Sequence, residues 1–221
     1  MVAGGARNGT PGNDGAARFA GDGLACRRGE RQVLTDLSFR VAAGGALLLT
    51  GPNGAGKSSL LRMMAGLLPA AAGRLLWNDA NIETDLAAHR ARVSFVGDRD
   101  AVKPGLSVAG NLASWAALLG RGADAAASVA GALAHFGLAS LADLPARYLS
   151  AGQRRRLALA RLLLAPRPLW LLDEPHAGLD AAALDMLKAT LHAHRALGGM
   201  VVVASHGGLV PPDALRLDLA A

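Results

Sequence analysis

Residues 51–58 read Gly51-Pro52-Asn53-Gly54-Ala55-Gly56-Lys57-Ser58, and their setting decides the fold. The apolar run Ala46-Leu47-Leu48-Leu49-Thr50 precedes them and Ser59-Leu60-Leu61-Arg62-Met63-Met64 follows, so the order is strand, glycine loop, helix. Such a loop converges backbone N–H groups on an anion at a helix N-terminus, where the helix dipole adds to the attraction. Lys57 would reach the β- and γ-phosphates of a nucleotide, and the Ser58 hydroxyl would ligate Mg²⁺. With 28 glycines in the chain, the glycines alone prove little. The lysine decides. Among 23 Lys and Arg residues only Lys57, Lys103 and Lys188 are lysines, so a compact ammonium stands here in a chain that otherwise uses arginine.

Outward from the loop, residues 1–21 are rich in Gly, Ala, Asn and Pro without periodicity, and a disordered leader over 1–22 is expected. Structure is expected to start near Leu24. Residues 32–41 alternate around Leu34, Leu37, Phe39 and Val41, which predicts a half-exposed antiparallel strand. The helix after the loop is expected to run to about Leu68 and to stop at Pro69. Strands are predicted at 73–77 and 93–96, with a turn at Asp79-Ala80-Asn81. Residues 107–146 turn Ala- and Leu-rich with helical spacing, broken near Gly120, Gly122 and Gly137, and helical pattern resumes at 154–165. Leu169-Trp170-Leu171-Leu172 and residues 200–204 suit strands buried on both faces. Between them Asp180 is expected to cap a helix from Ala181 to about Ala196. Alternating strands and helices predict a mostly parallel α/β sheet with a small antiparallel β region and an inserted helical lobe over 107–165, all in one domain over 23–221.

Composition narrows the classes. The chain has 221 residues, is 52% hydrophobic and only 4% aromatic, so its core must be built from Ala, Leu and Val. A net charge of +6 suits an anionic partner, although an arginine-rich composition gives the same value without one. Cys26 is the single cysteine, which excludes an internal disulfide and a cysteine metal cluster. No stretch offers 18 uncharged apolar residues, and the N-terminus has no hydrophobic region of a secretory signal. A cytosolic chain that meets membrane only through a partner is the expectation.

Three further stretches carry chemistry. Leu171-Leu172-Asp173-Glu174-Pro175 ends a buried strand in two acids, on the side of a parallel sheet where ligands bind. Asp173 would hold Mg²⁺ through water and Glu174 would polarise the attacking water. Leu149-Ser150-Ala151-Gly152-Gln153 opens an arginine-rich helix, and Ser205-His206 follows a buried strand.

In this order the stretches resemble those of ATP-binding cassette (ABC) proteins, a P-loop NTPase family with a RecA-like sheet. The resemblance covers residues 24–206. Residues 149–153 are similar to the family's L-S-G-G-Q signature, with Ala151 in place of a glycine. It implies ATP and Mg²⁺ as ligands, with Gly51, Pro52, Asn53, Gly54, Ala55, Gly56, Lys57, Ser58 and Ser59 on the nucleotide. Ser58 and Asp173 would face the metal, and Glu174 and His206 would act in catalysis. Ser150, Ala151, Gly152 and Gln153 would act in trans, on the nucleotide of a second copy paired head to tail. Ala177-Gly178-Leu179-Asp180 looks like the family's D-loop, which lies across that dimer interface.

Two departures stand out. Where the family has a Gln after the strand at 93–96, this chain reads Gly97-Asp98-Arg99-Asp100, and Asp98 is the candidate to face a metal. Where the family places an aromatic under adenine, it reads Ala25-Cys26-Arg27-Arg28-Gly29, and a stacked Arg28 guanidinium is the substitute.

Within the family the stretches 60–68, 100–112 and 149–164 look most like the ATP-binding subunits of the cytochrome c biogenesis haem exporter. That likeness implies a transmembrane partner subunit and a peripheral position on the cytoplasmic face of the inner membrane. Haem would be handled by the complex and not bound by this chain, whose Cys26 lies outside any C-x-x-C-H motif. The alternatives are an exporter subunit for a lipid, peptide or small molecule, and a nucleotide-binding module without turnover. A nucleic-acid-directed family member is disfavoured, because those carry two cassettes or long coiled-coil insertions.

Overall fold

The computed structural model describes residues 17–29 and 31–219. Two sheets share the chain. The first is antiparallel, in the order β2-β1-β4-β5, with β1 at Arg18–Arg28, β2 at Arg31–Ala42, β4 at Ala72–Trp77 and β5 at Ala80–Asn81. The second is parallel, in the order β6-β7-β8-β3-β9, with β3 at Ala46–Thr50, β6 at Val93–Val96, β7 at Leu169–Asp173, β8 at Met200–Ala204 and β9 at Leu215–Asp218. The helices are α1 at Lys57–Met64, α2 at Leu86–Ala91, α3 at Val108–Leu118, α4 at Ala125–His135, α5 at Ala151–Ala160 and α6 at Ala181–Ala196.

The period-2 rule of a strand divides the core in two. Leu48, Trp170, Leu172, Val201 and Val203 face one cluster, shared with Leu187 and Leu191 of α6 and with α3, α4 and α5. Their neighbours Leu47, Leu49, Leu169, Leu171, Met200 and Val202 face the other, shared with Leu60, Leu61, Met63 and Met64 of α1 and with the antiparallel sheet. A parallel sheet must be covered on both faces, which is why β7 and β8 are buried at every residue.

Register then sets the site. Leu49 of β3 and Asp173 of β7 both lie opposite Ala204 of β8. The three strands therefore end level, and the chain leaves all of them on one edge of the sheet.

Four expectations need correction. Residues 1–16 of the expected leader lie outside the described residues, but β1 begins at Arg18, inside the expected leader. Phe19 is fully buried there, against Phe39 at 5.6 Å and stacked on His89 at 5.8 Å, so an apolar anchor draws these residues into the sheet. The helix after the glycine loop ends at Met64, well before Pro69. Gly66, at φ 67°, turns the chain and lets the Leu67 N–H close on the Arg62 carbonyl at 2.8 Å. The turn expected at 79–81 sits at Asn78-Asp79, both at positive φ as a tight hairpin demands, which frees Ala80 and Asn81 to pair with β4. Finally, helical pattern at 154–165 starts earlier, at Ala151, and tightens into a 3₁₀ turn over Arg161–Leu163.

Candidate functional site

The glycine loop leaves β3 and enters α1 with Gly56 as N-cap, at φ 103° and without any side-chain cap. The first N–H groups of α1 are therefore not met by a capping side chain. A Cβ on Gly56 would sit 2.7 Å from Val33 of β2, so both backbone angle and space require glycine there. Lys57 is buried and folds back over its own loop, its Nζ donating to Gly51 O at 2.6 Å and Pro52 O at 3.0 Å. An ammonium carries three donors, so one remains for an incoming oxygen.

A cleft of about 580 Å³ opens over this loop, lined by Asn53, Gly54, Gly56, Lys57, Ser58 and Ser59. Asp173, Glu174 and His206 line its opposite wall, with Val33 and Asp98 at its margins. Asp173 is 3% exposed, and its Oδ2 is buried without a hydrogen-bond partner. Glu174 Oε1 is likewise buried without a hydrogen-bond partner, and the imidazole Nε2 of His206 lies 3.5 Å from it. Buried carboxylate oxygens with no partner are costly, and two of them on residues that line one cleft point to a ligand that supplies what they lack. Glu174 also sits at φ 44°, an uncommon backbone for a residue with a Cβ.

These residues fit a divalent ion on a phosphate ligand. Among the described residues no three His, Cys, Asp or Glu side chains gather into a metal cluster. Ser58 and Asp173 would thus provide one hydroxyl and one carboxylate. Mg²⁺ is commonly held with that few protein groups, taking the rest of its shell from phosphate and water.

The signature-like segment lies elsewhere. Ser150 caps α5, its Oγ accepting from Gln153 N at 3.2 Å while Gln153 Oε1 accepts from Ser150 N at 2.8 Å. Ser150 and Ala151 are exposed and none of 150–153 lines the cleft. A Cβ on Gly152 would lie 2.8 Å from the Gly178 carbonyl, so this glycine lets α5 approach the 177–180 loop. Asp180, also exposed, caps α6 through Ala183 N at 2.8 Å. Gly51, Pro52 and Ala55 shape the loop without lining the cleft. The Arg28 side chain lies outside the described residues, so the adenine-stacking expectation has no structural account.

Two residues near the site escaped sequence reasoning. His176 places Nε2 3.8 Å from Glu174 Oε2, and Arg155 buries its guanidinium beneath the turn that bears Glu174. Neither matches a motif. Only the run Arg154-Arg155-Arg156 on a helix with a buried face hinted that one arginine must point inward.

With this geometry in place, comparisons agree on a relationship. The sequence matches the ABC transporter family over residues 34–177. It is 53% identical over 203 residues to a cytochrome c biogenesis ATP-binding export protein CcmA from Rhodospirillum rubrum, covering 92% of this chain and 86% of that one. To the protein of the same name from Paramagnetospirillum magneticum it is 54% identical over 202 residues, covering 91% and 93%. Among solved structures, a bacterial Atm1-family ABC exporter with ATP bound superposes with a TM-score of 0.80 at 25% identity, covering 97% of this chain and 39% of that one. An ATP-binding subunit of an ABC transporter gives 0.78 at 23% identity, covering 86% and 79%, and supports the fold.

Proposed function

The chain belongs to the ABC transporter family, as one of its cytochrome c biogenesis ATP-binding export proteins (CcmA), and from that premise we propose that its cleft hydrolyses ATP to drive an exporter. The observation that carries the reading is that Asp173 and Glu174, each with a buried, unbonded carboxylate oxygen, line the same cleft as Lys57 and Ser58.

The loop N–H groups and the free donor of Lys57 hold the phosphate oxygens and offset their charge. Mg²⁺, held by Ser58 and Asp173, would neutralise charge on the transferring group. Glu174 orients a water and takes its proton as the water oxygen attacks the γ-phosphorus. The bond to the bridging oxygen breaks, leaving ADP and phosphate. His206, exposed in the cleft lining, would hydrogen-bond the γ-phosphate.

Because Ser150, Ala151, Gly152 and Gln153 do not reach this cleft, a second copy supplies them. Two chains pair head to tail around two ATP molecules, with Asp180 near the shared surface. Among the described residues no helix is long and apolar enough to cross a membrane. Kinship with ATP-binding export proteins supports a position on the cytoplasmic face of the inner membrane, held by a transmembrane subunit, with haem as the cargo of that complex.

Phosphate release from ATP by the complex recovered from membranes tests this. We expect turnover by the wild-type chain and a loss of about 100-fold or more in Lys57→Ala, with an integral membrane subunit co-purifying. No phosphate release from the wild-type complex would refute the reading.

A further inference from the structure

We propose that Arg155 is a positioning residue for Glu174, clamping the turn that bears this carboxylate and tying it to the helix that opens at Ser150. The inference rests on the role given to Glu174 above, and it concerns a residue that no motif singled out.

Arg155 lies in the second turn of α5 and is 4% exposed. A guanidinium has five N–H donors in a rigid plane. Here all five are used. Nη2 donates to Asp173 O at 2.8 Å and to Glu174 O at 2.8 Å, and Nε donates to Pro175 O at 3.3 Å. Nη1 donates to Gly97 O at 2.9 Å and to Asp100 Oδ1 at 3.1 Å. One charge-balanced side chain thus joins three separate segments: α5, the turn after β7, and the loop after β6.

A buried ion pair is weak evidence for stability, since well-packed apolar residues of similar volume often do as well. What this arrangement adds is geometry. Three successive carbonyls, at 173, 174 and 175, are held by one plane, which fixes the peptide groups on both sides of the Glu174 Cα. Glu174 sits at positive φ, a conformation that persists only where its surroundings over-determine it. The clamp provides that. Glu174 Oε1 has no hydrogen bond of its own, and His206 and His176 lie 3.5 and 3.8 Å from the carboxylate, so the backbone conformation bears on where the side chain points. A shift of the Ser150 end of α5 is passed to Glu174 through the three bonds to these carbonyls.

The test uses the full chain in its membrane complex, with phosphate release measured against ATP concentration and a fluorescent trinitrophenyl-ATP as binding probe. Arg155→Gln keeps at most two donors. It should lower kcat by about tenfold or more while KM and probe affinity stay within about twofold, the signature of a misplaced catalytic group. Asp100→Asn keeps an acceptor oxygen and all four carbonyl bonds but loses the charge; it should lower kcat by about threefold, again at constant KM. Either variant at wild-type kcat overturns the proposal. So does a fall in probe affinity in step with kcat, which is the pattern of general damage. If Arg155→Gln does not fold, Asp100→Asn decides alone. A wild-type complex that releases no phosphate instead removes the hydrolytic reading beneath it.

Discussion

The start of α1 and the start of α5 are both helix N-termini at the edge of functional loops, yet they are finished differently. The start of α1 has a glycine N-cap and no capping side chain, and it lines a cleft together with Asp173 and Glu174, each of which has an unbonded carboxylate oxygen. The start of α5 is closed by a full capping box, in which Ser150 and Gln153 satisfy each other, and it faces outward. An open N-terminus waits for an anion, whereas a closed one is already folded and presents a surface. In the proposed dimer the first is the part of the site that this chain keeps, and the second is the part it would offer to another copy.

That contrast is broken most severely at Ser150. Ser150→Arg should cut hydrolysis by about 100-fold by preventing closure of the dimer, while nucleotide affinity in the cleft stays within about twofold. Loss of the N-cap costs only about 1 kcal/mol, so the fold should survive. If nucleotide affinity falls with hydrolysis, the two helix starts are not separate parts. Fluorescent-nucleotide titration beside phosphate release reads both.

A smaller effect sharpens the comparison from the α1 side. His89 is buried, stacks on Phe19 and places Nε2 2.7 Å from Met64 O at the end of α1. Burial pushes its pKa down from the ordinary value, the Met64 carbonyl opposes this, and Arg92 and Arg90 push it further down. Above about pH 6.5 the imidazole is neutral in both folded and unfolded chains, and nothing is lost. As pH falls below that, the unfolded chain takes up a proton that the folded chain resists, and stability drops by up to about 1.4 kcal/mol per pH unit until the folded value is passed. Between pH 7.5 and 5.5, hydrogen exchange should therefore accelerate in α1 more than in α5, and His89→Gln should narrow that difference. Equal acceleration in both helices would count against this placement of His89.

Much of this was legible in the sequence where one residue type has one job. Lys57 marked the loop, Asp180 marked the start of α6, and the runs at 169–172 and 200–204 marked strands buried on both sides. What stayed hidden depends on distant residues. Phe19 gives no strand signal until Phe39, Trp77 and His89 are seen around it. The end of α1 was misread because Pro69 is a louder stop than Gly66. Arg155 was hidden for a stronger reason: its five acceptors are mostly backbone carbonyls, and carbonyls leave no trace in a sequence.

In the proposed dimer, the cleft is half of a site completed by a second copy. The molecular mass of the Glu174→Gln chain in solution, measured by light scattering with and without Mg²⁺-ATP, tests it most directly. Removing the carboxylate's basicity stops hydrolysis without removing the phosphate loop, so ATP should hold two chains together. A monomer is expected without ATP, a dimer with ATP, and a monomer in both conditions when Ser150→Arg is added. A Glu174→Gln chain that binds ATP and stays monomeric would contradict it.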